Sequence, residues 1–152
     1  MSSELASEVR KSAEESFASG LYCAESVLVA LAKSQGYENE ILPKIASGFC
    51  GGMSRTCGTC GAITGAIMGM GLTLGRSQAG ESVQPAYVAT QRLIAEFEQE
   101  FGARDCHVLL GCDLGTPEGQ ATFREKKLSE RCIKYTGRAA EIAANILADA
   151  RV

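Results

Sequence analysis

No stretch of this chain alternates apolar and polar residues with a period of two for long enough to build a sheet. Apolar residues instead recur every three to four positions, which places them on one face of a helix. Ser3 to Ala18 carries Leu5, Val9, Ala13 and Phe17 at fourfold spacing with charges between them, and Gly20 follows where a helix end favours a left-handed residue. A second helix, about Tyr22 to Gln35, sets Cys23, Val27, Ala30, Leu31 and Ser34 on one stripe and stops at Gly36. A short helix after Asn39 runs through Ile41, Leu42 and Ile45 into the loop from Gly48 to Thr56, whose three glycines admit backbone conformations closed to other residues. Ser82 to Phe101 repeats the amphipathic pattern, with Pro85 early and Gly102 as the stop. Asp105 caps a short helix reaching Cys112, and Thr116-Pro117 restarts the chain with a cap and a proline at the first helical position. Ser129 to Ala150 aligns Cys132, Thr136, Ala139, Ala143, Ile146 and Ala150. A chain of 152 residues can bury one ordinary core. The expected fold is therefore all-α: a single domain, 1–152, in which six or seven helices form a bundle with a Gly/Cys-rich loop before a glycine-striped central helix.

That central helix, roughly Cys60 to Gly75, holds Gly61, Gly65 and Gly69 on one line. Each costs up to ~1 kcal/mol of helix propensity relative to alanine, so something must offset them. A strip of small residues lets either another backbone or a bulky inorganic group approach closely. Gly61 and Gly65 are accordingly candidate cofactor-binding positions, with plain helix packing as the competing account. A homodimer through the Gly61-Gly65-Gly69 face fits the same pattern.

Seven cysteines and one histidine, His107, make thiol chemistry the chain's main resource. A core of this size does not need disulfides, and the odd count argues against a complete disulfide framework. No basic region leads into an apolar stretch at the start, so a cytoplasmic address is expected. The net charge of -3, with lysines and arginines scattered among acids, argues against nucleic acid. The nearly uncharged run from Cys60 to Leu74 has 15 residues, short of the about 20 that a membrane span needs.

Cys23, Cys60 and Cys106 fall at predicted helix N-termini, where free amides and the macrodipole favour thiolate. Cys132 sits on the inward stripe of the last helix. Cys57-Gly58-Thr59-Cys60 is a C-x-x-C pair, which means redox chemistry in a βαβ setting and metal ligation elsewhere; here the β part is missing. Such a pair needs further ligands, which Cys106, Cys112 and Cys132 can supply. An excess of thiols with scarcely any histidine favours iron–sulfur over harder metals, with zinc as the alternative. His107 stands beside Cys106 but reads as a surface residue, because adjacent helical residues point in different directions.

Four landmarks fall in order: Cys23 in Tyr-Cys-Ala-Glu-Ser-Val, then Cys60-Gly61-Ala62-Ile63-Thr64-Gly65, then Cys106 before Leu109-Leu110-Gly111, then Cys132 before the C-terminal helix. Together they resemble the bacterial redox-active family with four cysteines and a C-G-A-x-x-G motif, related to the N-terminal part of split-Soret cytochromes. The resemblance implies an all-helical fold and an iron–sulfur centre, with Cys23, Cys60, Cys106 and Cys132 as the family cysteines. Cys50, Cys57 and Cys112 look like additions.

Three functions are compatible with this pattern. The leading one is electron transfer or redox sensing by an iron–sulfur protein, with metal ligands Cys23, Cys60, Cys106 and Cys132, Cys57 and Cys112 as alternates, and a redox partner protein that the sequence does not name. The second is a metal-free thiol–disulfide oxidoreductase using Cys60 as catalytic thiolate with Cys57 or another cysteine resolving. The third is a structural zinc module for protein interaction.

Overall fold

The computed structural model describes residues 2–150. Eight helices make up the described chain: α1 (Ser2–Ala18), α2 (Cys23–Ser34), α3 (Ile41–Ala46), α4 (Gly61–Leu74), α5 (Gln84–Phe101), α6 (Cys106–Leu110), α7 (Pro117–Glu125) and α8 (Ser129–Ala150). No strand forms among the described residues; the one β feature is an isolated antiparallel bridge between Thr59 and Asp105. No helix is long and apolar enough to cross a membrane.

The central helix is α4, which contacts α2, α5 and α8, while α1 lies along α8. Val27, Leu31, Ile63, Ala66, Leu93, Phe97, Ala139 and Ile142 fill the space between them with almost no solvent exposure. Phe97 anchors the α5–α8 contact, its ring 4.8 Å from Phe101 and 6.0 Å from Tyr135. Burial of such a side chain is worth on the order of 2–3 kcal/mol relative to exposure, so this cluster does much to fix α5 against α8.

The glycine line on α4 is explained by this packing. A Cβ at Gly65 would stand 2.5 Å from the Ala24 carbonyl oxygen, and one at Gly69 would stand 2.6 Å from Leu31 Cδ1. Gly65 therefore lets α2 lie backbone to backbone on α4, and Gly69 leaves room for the Leu31 side chain. The face expected to receive a cofactor or a second chain is occupied by α2, with Gly61 as the exception discussed below.

The helix ends differ from expectation in small, physical ways. Thr116 caps α7 by accepting a hydrogen bond from the Gly119 amide at 2.9 Å, as the Thr-Pro signal predicts. Asp105 precedes α6 but makes no side-chain cap. Cys60 stands outside α4 as its N-cap residue rather than inside it. Leu5 is exposed, because α1 turns Ala6, Val9 and Ala13 toward the core instead.

The Gly-rich loop holds the least expected geometry. After a short 3-10 turn (Ser47–Phe49), Gly51, Gly52, Met53, Ser54 and Arg55 all have φ between 59° and 70°, a continuous left-handed turn. Left-handed helix costs roughly 1–2 kcal/mol per non-glycine residue, so three residues here are held against their preference. Hydrogen bonds hold the turn: Ser54 Oγ donates to the Gly48 carbonyl at 2.8 Å, and the Gly58 amide donates to the Gly52 carbonyl at 3.0 Å.

Candidate functional site

Five cysteines line one cavity of about 630 Å³: Cys23, Cys50, Cys60, Cys106 and Cys132. They arrive from separate parts of the chain. Cys23 opens α2, Cys50 precedes the left-handed turn, Cys60 caps α4, Cys106 opens α6, and Cys132 lies in the first turn of α8. All seven cysteines are free thiols.

The pairing of Thr59 with Asp105 places two of them side by side. The Cys60 amide donates to the Arg104 carbonyl at 2.7 Å, and the Cys106 amide donates to the Gly58 carbonyl at 2.9 Å. Gly52 backs this clamp, since a Cβ there would lie 2.5 Å from Cys106 Cβ and 2.9 Å from the Gly58 carbonyl. The left-handed turn is thus the means by which backbone without a side chain passes behind Cys106. Gly61 serves the same end for Cys23, whose sulfur occupies the place a Gly61 side chain would take. Gly61 lines the cavity, whereas Gly65 does not.

Burial, not the helix termini, sets the state of the Cys60, Cys106 and Cys132 thiols. Desolvation pushes Cys60 up to about 12 even though the amides of Ala62 and Ile63 hydrogen-bond its sulfur and pull the other way. Cys132 is raised to about 12 and Cys106 to about 11, again chiefly by burial and further by neighbouring thiols. The expectation of depressed thiol pKa values at helix N-termini therefore reverses at Cys60 and Cys106, because removing thiolate from water outweighs the favourable amides. Tyr135, also raised by burial, closes this side and donates its hydroxyl to the Leu109 carbonyl at 3.1 Å. Arg55 and Arg124 line the cavity from exposed positions, bringing two positive charges to its rim.

The C-x-x-C pair does not act as a unit. Cys57, at φ 61°, lies outside the cavity lining beside Asp113, whose carboxylate raises the thiol. Cys112 also stays outside the lining, packed against the buried cluster of Cys106, Leu110 and Leu128. His107 is exposed. Cys50, set aside as an addition by the motif reading, lines the cavity; the glycines around it were the available sign of a close approach.

The donor set can be tested against the groups it was expected to hold. Four thiolates on one tetrahedral zinc ion lie about 3.8 Å apart, given Zn–S bonds of about 2.3 Å. Among the described residues no three Cys, His, Asp or Glu side chains are gathered for a single ion. Thiols spread around a roomy cavity suit a polynuclear group, in which each sulfur meets a different metal atom.

The chain matches no curated protein and no solved structure. It does match, over residues 21–146, the family described as "Putative redox-active protein (C_GCAxxG_C_C)", and that span includes every thiol of the cavity. With four cysteines in the family's order and most of the chain matched, this protein belongs to the C_GCAxxG_C_C family of redox-active, cysteine-containing proteins.

Proposed function

We propose that the cavity binds an iron–sulfur cluster through Cys23, Cys60, Cys106 and Cys132, and that the protein works in electron transfer or redox sensing with a partner protein in the cytoplasm. The observation that carries the reading is that these four cysteines, at the starts of four helices, line one cavity. An iron–sulfur cluster, when bound, supplies one-electron chemistry. The protein's part is to provide thiolates and to hold their charge. The Ala62 and Ile63 amides meet the Cys60 sulfur, favouring its deprotonated form. Arg55 and Arg124 at the rim offset negative charge gathered inside. Apolar side chains including Phe17, Leu109 and Leu110 exclude water from the walls.

The high proton affinity of Cys60 works against the metal-free oxidoreductase built on that residue, since the attacking species is thiolate. Proton release on metal binding removes the same obstacle for ligation. The test is anaerobic purification followed by absorption spectroscopy and assays for iron and acid-labile sulfide. Brown protein carrying both is expected. A colourless chain with neither, even after reconstitution with ferrous iron and sulfide, would sink the proposal.

A further inference from the structure

Lysines and arginines are interspersed with acids along most of this chain, but not at the corner where α7 meets α8. Arg124, Lys126, Lys127 and Arg131 fall within eight residues whose acids are Glu125 and Glu130, a local net of +2 in a chain whose total is -3. All four cations are exposed. None of them forms an ion pair among the described residues, where the paired cations are Arg10, Arg92, Arg104 and Arg138. Their charge faces solvent uncompensated.

The same corner frames the thiol cavity. Arg124 lines it from the last turn of α7, Cys132 and Tyr135 line it from the first turns of α8, and Arg55 lines it from the left-handed turn. Arg131 precedes Cys132 and stands one helical turn from Tyr135. Tyr22 and Phe17 give the lining an apolar part, for Tyr22 is 62 % exposed and meets the Phe17 ring edge-on at 6.1 Å. Exposed aromatic and arginine side chains around one opening have the make-up of a protein interface.

We infer that this face is the docking surface for a small acidic electron-carrier protein, whose carboxylates meet Arg124, Lys126, Lys127 and Arg131 and bring its own redox group over the cavity. That the partner carries electrons rests on the proposed function; that it is acidic rests on the charges alone. Outside the corner the chain holds eleven cations against sixteen acids. A nucleic acid or an anionic membrane is an extended array of phosphates and would meet that negative surface as well, whereas a small protein can address the corner by itself. Uncompensated cations beside the cavity also steer such a partner and speed its encounter.

The full chain, purified anaerobically and with its iron content recorded, is passed over immobilised plant-type ferredoxin and immobilised flavodoxin, both acidic carriers, and over cytochrome c, a basic one, in surface plasmon resonance. Binding to at least one acidic carrier is expected, with an association rate about tenfold or more lower at about 0.15 M salt than at about 0.01 M. Lys126→Glu with Arg131→Glu touches no cavity-lining residue and is expected to lower the low-salt association rate about tenfold or more. Lys11→Glu with Lys33→Glu makes the same change in net charge at exposed sites on α1 and α2 and is expected to lower it less than about threefold. Circular dichroism confirms that both variants keep the helical fold. The inference is overturned if neither acidic carrier binds, if cytochrome c binds as tightly, or if the two variants lose equally. Tighter binding to duplex DNA or to phosphatidylglycerol vesicles overturns it too. Iron content separates this result from the cluster proposal: a chain that never takes up iron yet binds an acidic carrier through the corner keeps the docking surface and loses the cluster.

Discussion

Replacing Gly65 with alanine adds one methyl group on the line where α4 crosses α2. In an isolated helix the change stabilises, by up to ~1 kcal/mol. Here the new Cβ would lie 2.5 Å from the Ala24 carbonyl oxygen, 2.9 Å from its Cα and 3.0 Å from its carbonyl carbon. Ordinary contact begins at 3.4 Å, so the helices must part locally by about 0.9 Å. The obstructing atoms are backbone, which has no alternative rotamer. Overpacking of this kind costs about 1–3 kcal/mol, giving a net loss of up to about 2 kcal/mol after the propensity gain. Gly71, on the same helix, has nothing within 4 Å of its would-be Cβ, so Gly71→Ala retains the full gain. For a domain of this length 1 kcal/mol moves Tm by roughly 2–4 °C. Thermal unfolding followed by circular dichroism should thus show Gly71→Ala rising and Gly65→Ala falling. A Gly65→Ala protein that gains as much stability as Gly71→Ala would refute close α2–α4 approach as the reason for the glycine.

At Gly52, alanine meets both a left-handed φ of 63° and the Cβ of Cys106; loss of at least about 1–2 kcal/mol in urea unfolding is expected, whereas Gly111→Ala, with open space around it, should suffer only the backbone cost. Thr116→Ala removes the cap on the Gly119 amide and should cost about 1 kcal/mol in the same assay. Cys60, Cys106 and Cys132 have folded pKa values raised from 9.0 to about 12, 11 and 12, so the folded state binds their protons more tightly than the unfolded state does. Their contribution to metal-free stability is fully present below pH 9 and declines as pH rises toward 11–12, which urea midpoints of reduced protein at pH 8 and pH 10.5 will reveal. Flat midpoints across that interval would contradict burial as the cause of the shifts.

Helical periodicity was legible residue by residue, because a stripe such as Ala139, Ala143 and Ile146 has few other ways to be buried. The order of the family cysteines led directly to four of the cavity's thiols. Cys50 was not legible, since its place depends on a left-handed turn in which Met53, Ser54 and Arg55 take conformations their side chains disfavour. Sequence patterns report preferences, and tertiary contacts overrode them at that turn. The glycine line had two physical explanations of similar merit, and only the position of Ala24 and Leu31 separates packing at Gly65 and Gly69 from cavity lining at Gly61. The thiol pKa values were misjudged for a related reason: a helix N-terminus can be recognised in a sequence, but the depth at which it is buried cannot.

The cavity wall that carries Cys132 and Tyr135 belongs to α8, and α8 packs along α1. Synthesis of the 108 residues between Cys23 and Cys132 takes roughly 5–20 s at ordinary ribosomal rates. During that interval the earlier thiols are outside their finished enclosure, open to oxidants, metals and one another. Filling the cavity therefore waits until α8 has been made. A group bound there joins elements from α1 to α8, and its binding energy adds to the stability of the whole domain.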